Sequence, residues 1–465
     1  MRLLFVVLTF LIFNFLIDFS VWSSVAIAIW VGYVIYFLSN LNNSIAFREY
    51  ILVMYGLNYL FAPALTFELT QQISIYKMRL DPAEYFGMAI PAIFFLHAGL
   101  FSIKTKIFTY NFNLTRIQAL LNQSLLKQLL IIGVLLTFTG PFFPGELAFI
   151  VYLLSGIKYV AAFGLYILDK KKYKWYLFGL LFIEAAGSLR VGMFHDLVIW
   201  ILFFSMLWTY LTKPDTTKKL VLGVTAILCF FILQTAKGTY RAQLVAGGGG
   251  LSSFSSAVSK NAEGGGLFSF ENFALSLTRA NQGWIFSSSV DYMNRRKNFQ
   301  GTTLLKQYAE AAILPRFMAP NKLEAGDKKI FNEFSGAHIS LYSSTSMGLG
   351  LLADGYISYG TVGTMLFCLF FGIMCALVFK VIEKWSRISP IFALFFFPLL
   401  NYAVRPDCES QTWMGHIVKG LVAFSIVMYF ISSYIRRKTK TINLKDVQED
   451  EIVLQPHLLS NPIAH

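Results

Sequence analysis

Apolar runs long enough to cross a bilayer recur along most of this chain, at roughly 20 residues per span. With two to four residues of latitude at each end, they fall near 3–17, 21–38, 49–66, 84–103, 127–143, 146–168, 174–189, 192–211, 219–236, 359–380, 388–404 and 413–434. The pattern predicts an all-α polytopic membrane protein of about twelve transmembrane helices, since backbone crossing hydrocarbon must satisfy its own polar groups. The fifth segment ends in the breaker run Gly140-Pro141-Phe142-Phe143-Pro144. Met1-Arg2 followed by an apolar run imitates a signal peptide, but no small-residue cleavage site follows, so it reads as the first span.

Between the ninth and tenth runs lies the one large polar stretch, about 237–358. The organisation expected is transmembrane helices 1 to 9 in 1–236, a large outer loop in 237–358, helices 10 to 12 in 359–434 and a disordered tail in 435–465. The loop opens with glycine tracts (Gly247 to Gly250, Gly264 to Gly266) that suggest flexibility. It continues through apolar-periodic pieces, Phe270–Val290 and Thr303–Ile313, that read as short helices over the membrane surface.

Composition agrees: of 465 residues 56% are hydrophobic, 17% aromatic and 14% charged, at a mean hydropathy of +0.58, which leaves too little polar surface for a soluble protein. The net charge of +14 would suggest nucleic acid in a soluble chain, but here it reports topology and points to no nucleic acid. With the N-terminus inside, the inner segments collect 21 Lys and Arg, and the short outer loops hold only Lys77, Arg79, Arg190 and Arg405. That bias puts both termini in the cytoplasm and 237–358 outside. Four cysteines, three of them inside spans, form no disulfide framework. The 46 Phe and 23 Tyr read as lipid-facing bulk and interfacial belts in preference to a sugar-stacking platform.

No metal-ligand spacing, Walker loop or GxSxG elbow is present. The distinctive residues are charges at the outer ends of spans, where each is costly unless it meets a cavity or partner. Arg190 closes span seven, and His195 and Asp196 open span eight. Lys237 and Arg241 continue span nine at i, i+4 with Tyr240 between, a repulsive pair unless an anion lies over it. Arg405, Asp407, Glu409 and His416 surround the last outer loop. The bland alternative is that each basic residue snorkels to headgroups. Glu184 and Lys419 lie at matching depth inside spans and are expected to pair; the alternative is that each borders a water-filled cavity, with Lys158 a third member.

The stretch Ile313-Leu314-Pro315-Arg316-Phe317-Met318-Ala319-Pro320-Asn321-Lys322, then Gly348–Gly350, then Asp354-Gly355-Tyr356-Ile357-Ser358-Tyr359-Gly360-Thr361-Val362-Gly363 leading into a span, resembles the bacterial oligosaccharide repeat-unit polymerases of the Wzy type. Gly187-Ser188-Leu189-Arg190 is similar to that family's "GSR" element with Leu189 inserted, whereas its Arg-x10-Gly repeats are absent. The resemblance implies a glycosyltransferase of the inner membrane acting in O-antigen, capsule or exopolysaccharide biosynthesis. It would join undecaprenyl-diphosphate-linked oligosaccharides at the periplasmic face, among membrane lipids, with a chain-length regulator and a flippase of the same pathway as partners. No cofactor and no metal is implied. Such chemistry needs cations for a lipid diphosphate and one general base for an acceptor hydroxyl. Arg190, Lys237, Arg241, Arg316 and Arg405 are candidates for the first; Asp354, Asp407, Glu409, His195 and His416 remain open for the second. Asp354 has an equal reading as a cap on the tenth span. An O-antigen ligase-like transferase and a lipid-linked oligosaccharide flippase are the alternatives.

Overall fold

The computed structural model describes residues 2–72, 76–105, 121–263, 269–315, 318–320, 322–323, 328–336 and 348–441, and every regular element among them is helical. Among the described residues nine helices are long and apolar enough to cross a membrane: α2 (Val21–Asn40), α3 (Phe47–Thr70), α4 (Pro82–Phe101), α5 (Gln123–Phe142), α6 (Leu147–Leu168), α8 (His195–Thr212), α9 (Thr216–Val245), α15 (Leu351–Ser386) and α17 (Ser410–Tyr434). Three further expected spans differ from these. α1 (Arg2–Leu16) and α16 (Pro390–Leu399) are shorter, and α7 (Lys170–Val191), though 22 residues long, carries Lys170, Lys171, Lys172, Lys174, Glu184 and Arg190.

Among its described residues the large loop holds five helices, α10 (Gly250–Glu263), α11 (Phe270–Ala280), α12 (Gly283–Arg296), α13 (Thr302–Ile313) and α14 (Lys328–Ser335). Two expected boundaries move. α9 runs past 236 to Val245, and α15 begins at Leu351 with a sharp break at Tyr359 and Gly360, where the tenth span was expected to start. Gly360 has φ 65°, a conformation open to glycine, and beyond it the chain turns back so that a Cβ on Gly355 would lie 2.6 Å from the Gly363 carbonyl. The Asp354–Gly363 motif is thus a tight corner. The last helix continues to Thr441; residues 442–465, most of the expected tail, lie outside the described residues, as does the Gly264 to Gly266 tract.

Packing is densest where small residues let backbones touch. α4 and α15 meet at Gly99 and Gly372, where a Cβ on Gly372 would come within 2.7 Å of the Leu96 carbonyl and the Leu100 amide. Gly133 of α5 lies against Lys158 of α6 in the same manner, its would-be Cβ 2.8 Å from that of Lys158. Phenylalanine fills much of the interior, as well as the lipid-facing surface expected for it. Phe47, Phe203, Phe379, Phe396 and Phe397 pack edge-to-face or tilted and are almost wholly buried.

Connections gather at two ends. At one, Arg48 bonds Ile103 and Thr105, Asn42 bonds the Pro214 carbonyl and Lys170 that of Leu211. At the other, the loop helices dock on α3 and α4. Two π turns in α3, Leu57–Phe61 and Thr66–Thr70, interrupt its α-helical ladder there. The Asn58 carbonyl accepts Gln282 N–H, Thr66 Oγ1 accepts from Asn281, and Ser287 Oγ accepts Arg79 and Leu80 N–H. Asn281 also caps α12 by accepting Trp284 N–H, which splits the expected Phe270–Val290 piece in two.

Candidate functional site

The candidate residues converge on the loop end of the bundle, around the segment 401–410 that joins α16 to α17. Arg405 is mostly enclosed there, its side chain 11% exposed, and forms an ion pair with Asp196 in the first turn of α8, with its guanidinium 4.2 Å from the centre of the Tyr402 ring. Burial works against the charge on Arg405, but Asp196, Tyr152 and Tyr402 outweigh it and raise its pKa above the ordinary value. His195 Nδ1 lies 3.9 Å from the same aspartate, and both side chains are 41% exposed.

Asp354 sits beneath this segment with no exposure, and both its oxygens are engaged: Oδ1 accepts from Tyr308 at 2.6 Å and Oδ2 accepts Ser410 N–H at 2.8 Å. It therefore caps α17 rather than its own helix. Burial, then the Asp354 charge, drives the Tyr308 hydroxyl pKa well up, so that phenol stays a donor. Glu409 is 8% exposed and accepts from Gln411 and Thr412. His416 is 2% exposed and bonded through Nε2 to the Pro398 carbonyl, whereas Asp407 is exposed.

A second group of charges lies alongside. Tyr240 of α9 is fully buried, donates to the Leu189 carbonyl at 2.6 Å and packs with Phe194 and Phe254, which pins the end of α9 to the α7–α8 corner. Its neighbour Arg241 donates from Nε to the Gly192 carbonyl at 3.2 Å. Arg279, in the last turn of α11, donates to the Gln234 carbonyl at 2.6 Å. Arg241 and Arg279 both lie within electrostatic reach of Lys237, and burial followed by the Arg241 charge pulls the Arg279 pKa down. Among the described residues no carboxylate forms an ion pair with Lys237, Arg241 or Arg279. Three partly buried like charges, none of them ion-paired among the described residues and with Asp407 acting on Lys237 only from a distance, can hold an anion.

Of the five expected basic residues, Lys237 and Arg241 belong to this triad. Arg190 stands exposed one residue beyond the carbonyl that Tyr240 binds. Arg405 lies nearby, already matched by Asp196. Arg316 lies outside the described residues. Arg279 was missed, because the loop reads as separate from the spans until α11 is seen against α9. The expected Glu184–Lys419 pair is corrected: Glu184 bonds Lys158 Nζ at 2.9 Å, and Lys419 lies 5.6 Å from the Phe149 ring centre. Equal depth was the only ground for that pairing. Gly133 explains the actual one, since it brings α5 against Lys158, whose ammonium also donates to Thr137 Oγ1 at 2.8 Å. No group of three or more His, Cys, Asp or Glu placed to hold a metal occurs among the described residues.

A family model described as a domain of unknown function, DUF8712, matches residues 92–387. The chain belongs to that family. The matched region runs from within α4 to the end of α15, so it contains Lys158, Glu184, Asp196, the whole cation triad and Asp354. It stops short of Arg405, Glu409 and His416. No curated protein and no solved structure matches the chain.

Proposed function

We propose that this protein is an inner-membrane glycosyltransferase that polymerises oligosaccharide repeat units carried on undecaprenyl diphosphate. The observation that carries the reading is the triad of Lys237, Arg241 and Arg279 at the loop end of the bundle, none of them ion-paired among the described residues. A lipid diphosphate supplies the missing negative charge at the depth where a headgroup sits, and the two guanidiniums can each offer paired donors to its oxygens. In this reading α1, α7 and α16 complete twelve spans, both termini are cytoplasmic and the helical loop is periplasmic, as the distribution of Lys and Arg requires.

The reaction attaches the growing glycan to the acceptor oxygen as the bond to the lipid diphosphate breaks, and the acceptor hydroxyl gives up its proton. Asp354 has both oxygens bound within the protein, and Glu409 and His416 are buried. The general base then falls to His195 or Asp407, which solvent can reach beside the triad. The test is the surface glycan of a deletion strain. Single repeat units, restored to long polymer by the wild-type gene, support polymerisation. Long polymer left unattached to its final acceptor would replace this reading with a ligase, and unchanged glycan would remove it.

A further inference from the structure

The Lys158–Glu184 pair stands apart from the anion site, and its surroundings are of another kind. It borders a cavity of about 40 Å³ between α6, α7, α8, α16 and α17, which Asp196 reaches from the mouth. Glu184 is matched by Lys158 and Asp196 by Arg405. The charges balance, so neither an inorganic anion nor a metal cation is called for, and the occupant is neutral.

Two buried acceptors narrow it further. The Pro398 carbonyl only accepts, so His416 Nε2 carries the proton in their 2.8 Å contact and Nδ1 is the ring's acceptor. Among the described residues neither Nδ1 nor Asn401 Oδ1 receives a hydrogen bond, although His416 is 2% and Asn401 3% exposed. Both residues line the cavity. Two unpartnered acceptors on residues that line a polar space want a donor that these groups do not supply, and water brings two. The space exceeds the roughly 10–15 Å³ that one water needs and, at about 30 Å³ per molecule, takes one or two.

We infer that this cavity is a binding site for bound water, one or two molecules, linking the membrane-interior Lys158–Glu184 pair to the Asp196–Arg405 pair, and that Glu184 exchanges its proton through it. A proton arriving at the mouth passes along the water to a Glu184 oxygen, and the reverse passage restores the carboxylate. The groups facing Glu184 are Lys158, Tyr152 and Tyr159 from α6, Asp196 from α8 and His416 from α17, with Arg405 behind Asp196. The 41% exposure of Asp196 gives this water its contact with bulk solvent. None of this depends on the chemistry proposed for the cation triad.

X-ray hydroxyl-radical labelling of the full chain in lipid nanodiscs tests the water, because it oxidises side chains that touch ordered water even where bulk solvent is excluded. Tyr159 and His416 are expected to label on the order of tenfold faster than Tyr308, which is as buried but has its hydroxyl bound to Asp354. Labelling at the Tyr308 rate would show a dry cavity and overturn the inference. Infrared spectroscopy tests the proton. Acidification is expected to raise a protonated-carboxyl band that is missing in Glu184→Gln and shifts on mixing with deuterated buffer. Asn401→Leu, which fills the cavity with an apolar group, should slow that shift by on the order of tenfold. A band that persists without Glu184, or exchange as fast in Asn401→Leu, would overturn the proton route. Should Glu184→Gln fail to fold, the double change Lys158→Met with Glu184→Gln, which removes both charges, takes its place.

Discussion

Helices α3 and α9 are both apolar enough to span a membrane, yet 72% of the most apolar stretch of α3 is buried in the protein against 11% of that of α9. Apolarity brings a helix into the bilayer; it does not decide whether the helix joins the bundle. In lipid, association rests on close backbone approach and on polar groups that find partners. α3 offers Asn58, Tyr59 and Thr66, each bonded to another element or to its carbonyls, and two π turns on which the loop docks. The middle of α9 offers aliphatic side chains, and even Gly223 has no neighbour that a Cβ would meet. Apart from Lys219, which donates to the Leu38 carbonyl at the opposite end, α9 is tied to other elements near its loop end, through Tyr240, Arg241 and the Gln234 carbonyl. The well-buried half of the molecule is thus a scaffold, and two of the three cations of the triad lie on the least buried of the nine apolar helices.

Breaking the scaffold should have the largest effect. Gly372→Leu drives a side chain into the backbone of α4 and is expected to prevent accumulation of folded, monodisperse protein, read by fluorescence-detected gel filtration. Next come the interior charges. Glu184→Gln and Lys158→Met should each cost about 3–5 kcal/mol by leaving a lone charge, and the double change should cost less than either. Simple additivity of the thermal shifts would refute the pairing. Tyr308→Phe, which strips Asp354 of one donor, should cost about 1–3 kcal/mol in the same assay. At the lipid-facing end of the scale, Val224→Ala in α9 should stay within about 0.5 kcal/mol of wild type. Lys237→Met should be neutral or stabilising, since it relieves repulsion within the triad. If Val224→Ala destabilised the protein as Gly372→Leu does, the contrast between the two helices would fail.

The helical class was legible in the run lengths, and Lys237, Arg241 and Arg405 stood out in the sequence because charges at span ends are few. Three things were not. Lys158 as the partner of Glu184 depended on Gly133, a residue that carries no charge and gives no signal in a hydropathy pattern. Arg279 belonged by sequence to the loop and entered the site through the docking of α11 on α9. Asp354 read equally as base or cap; the structure has it capping a helix that starts 56 residues later, a contact that local reading of the chain cannot reach.

Under the proposed function Lys237, Arg241 and Arg279 together hold the diphosphate of a lipid-linked substrate. Equilibrium binding of undecaprenyl diphosphate to the purified protein in nanodiscs, wild type against Arg241→Ala, Arg279→Ala and Arg241→Lys, tests it most directly. Each alanine change should weaken binding by about 1.5–3 kcal/mol, roughly 10- to 150-fold, at unchanged thermal stability. The lysine change should recover only part, because an ammonium lacks the guanidinium fork. Wild-type affinity in folded Arg241→Ala and Arg279→Ala proteins would contradict the account.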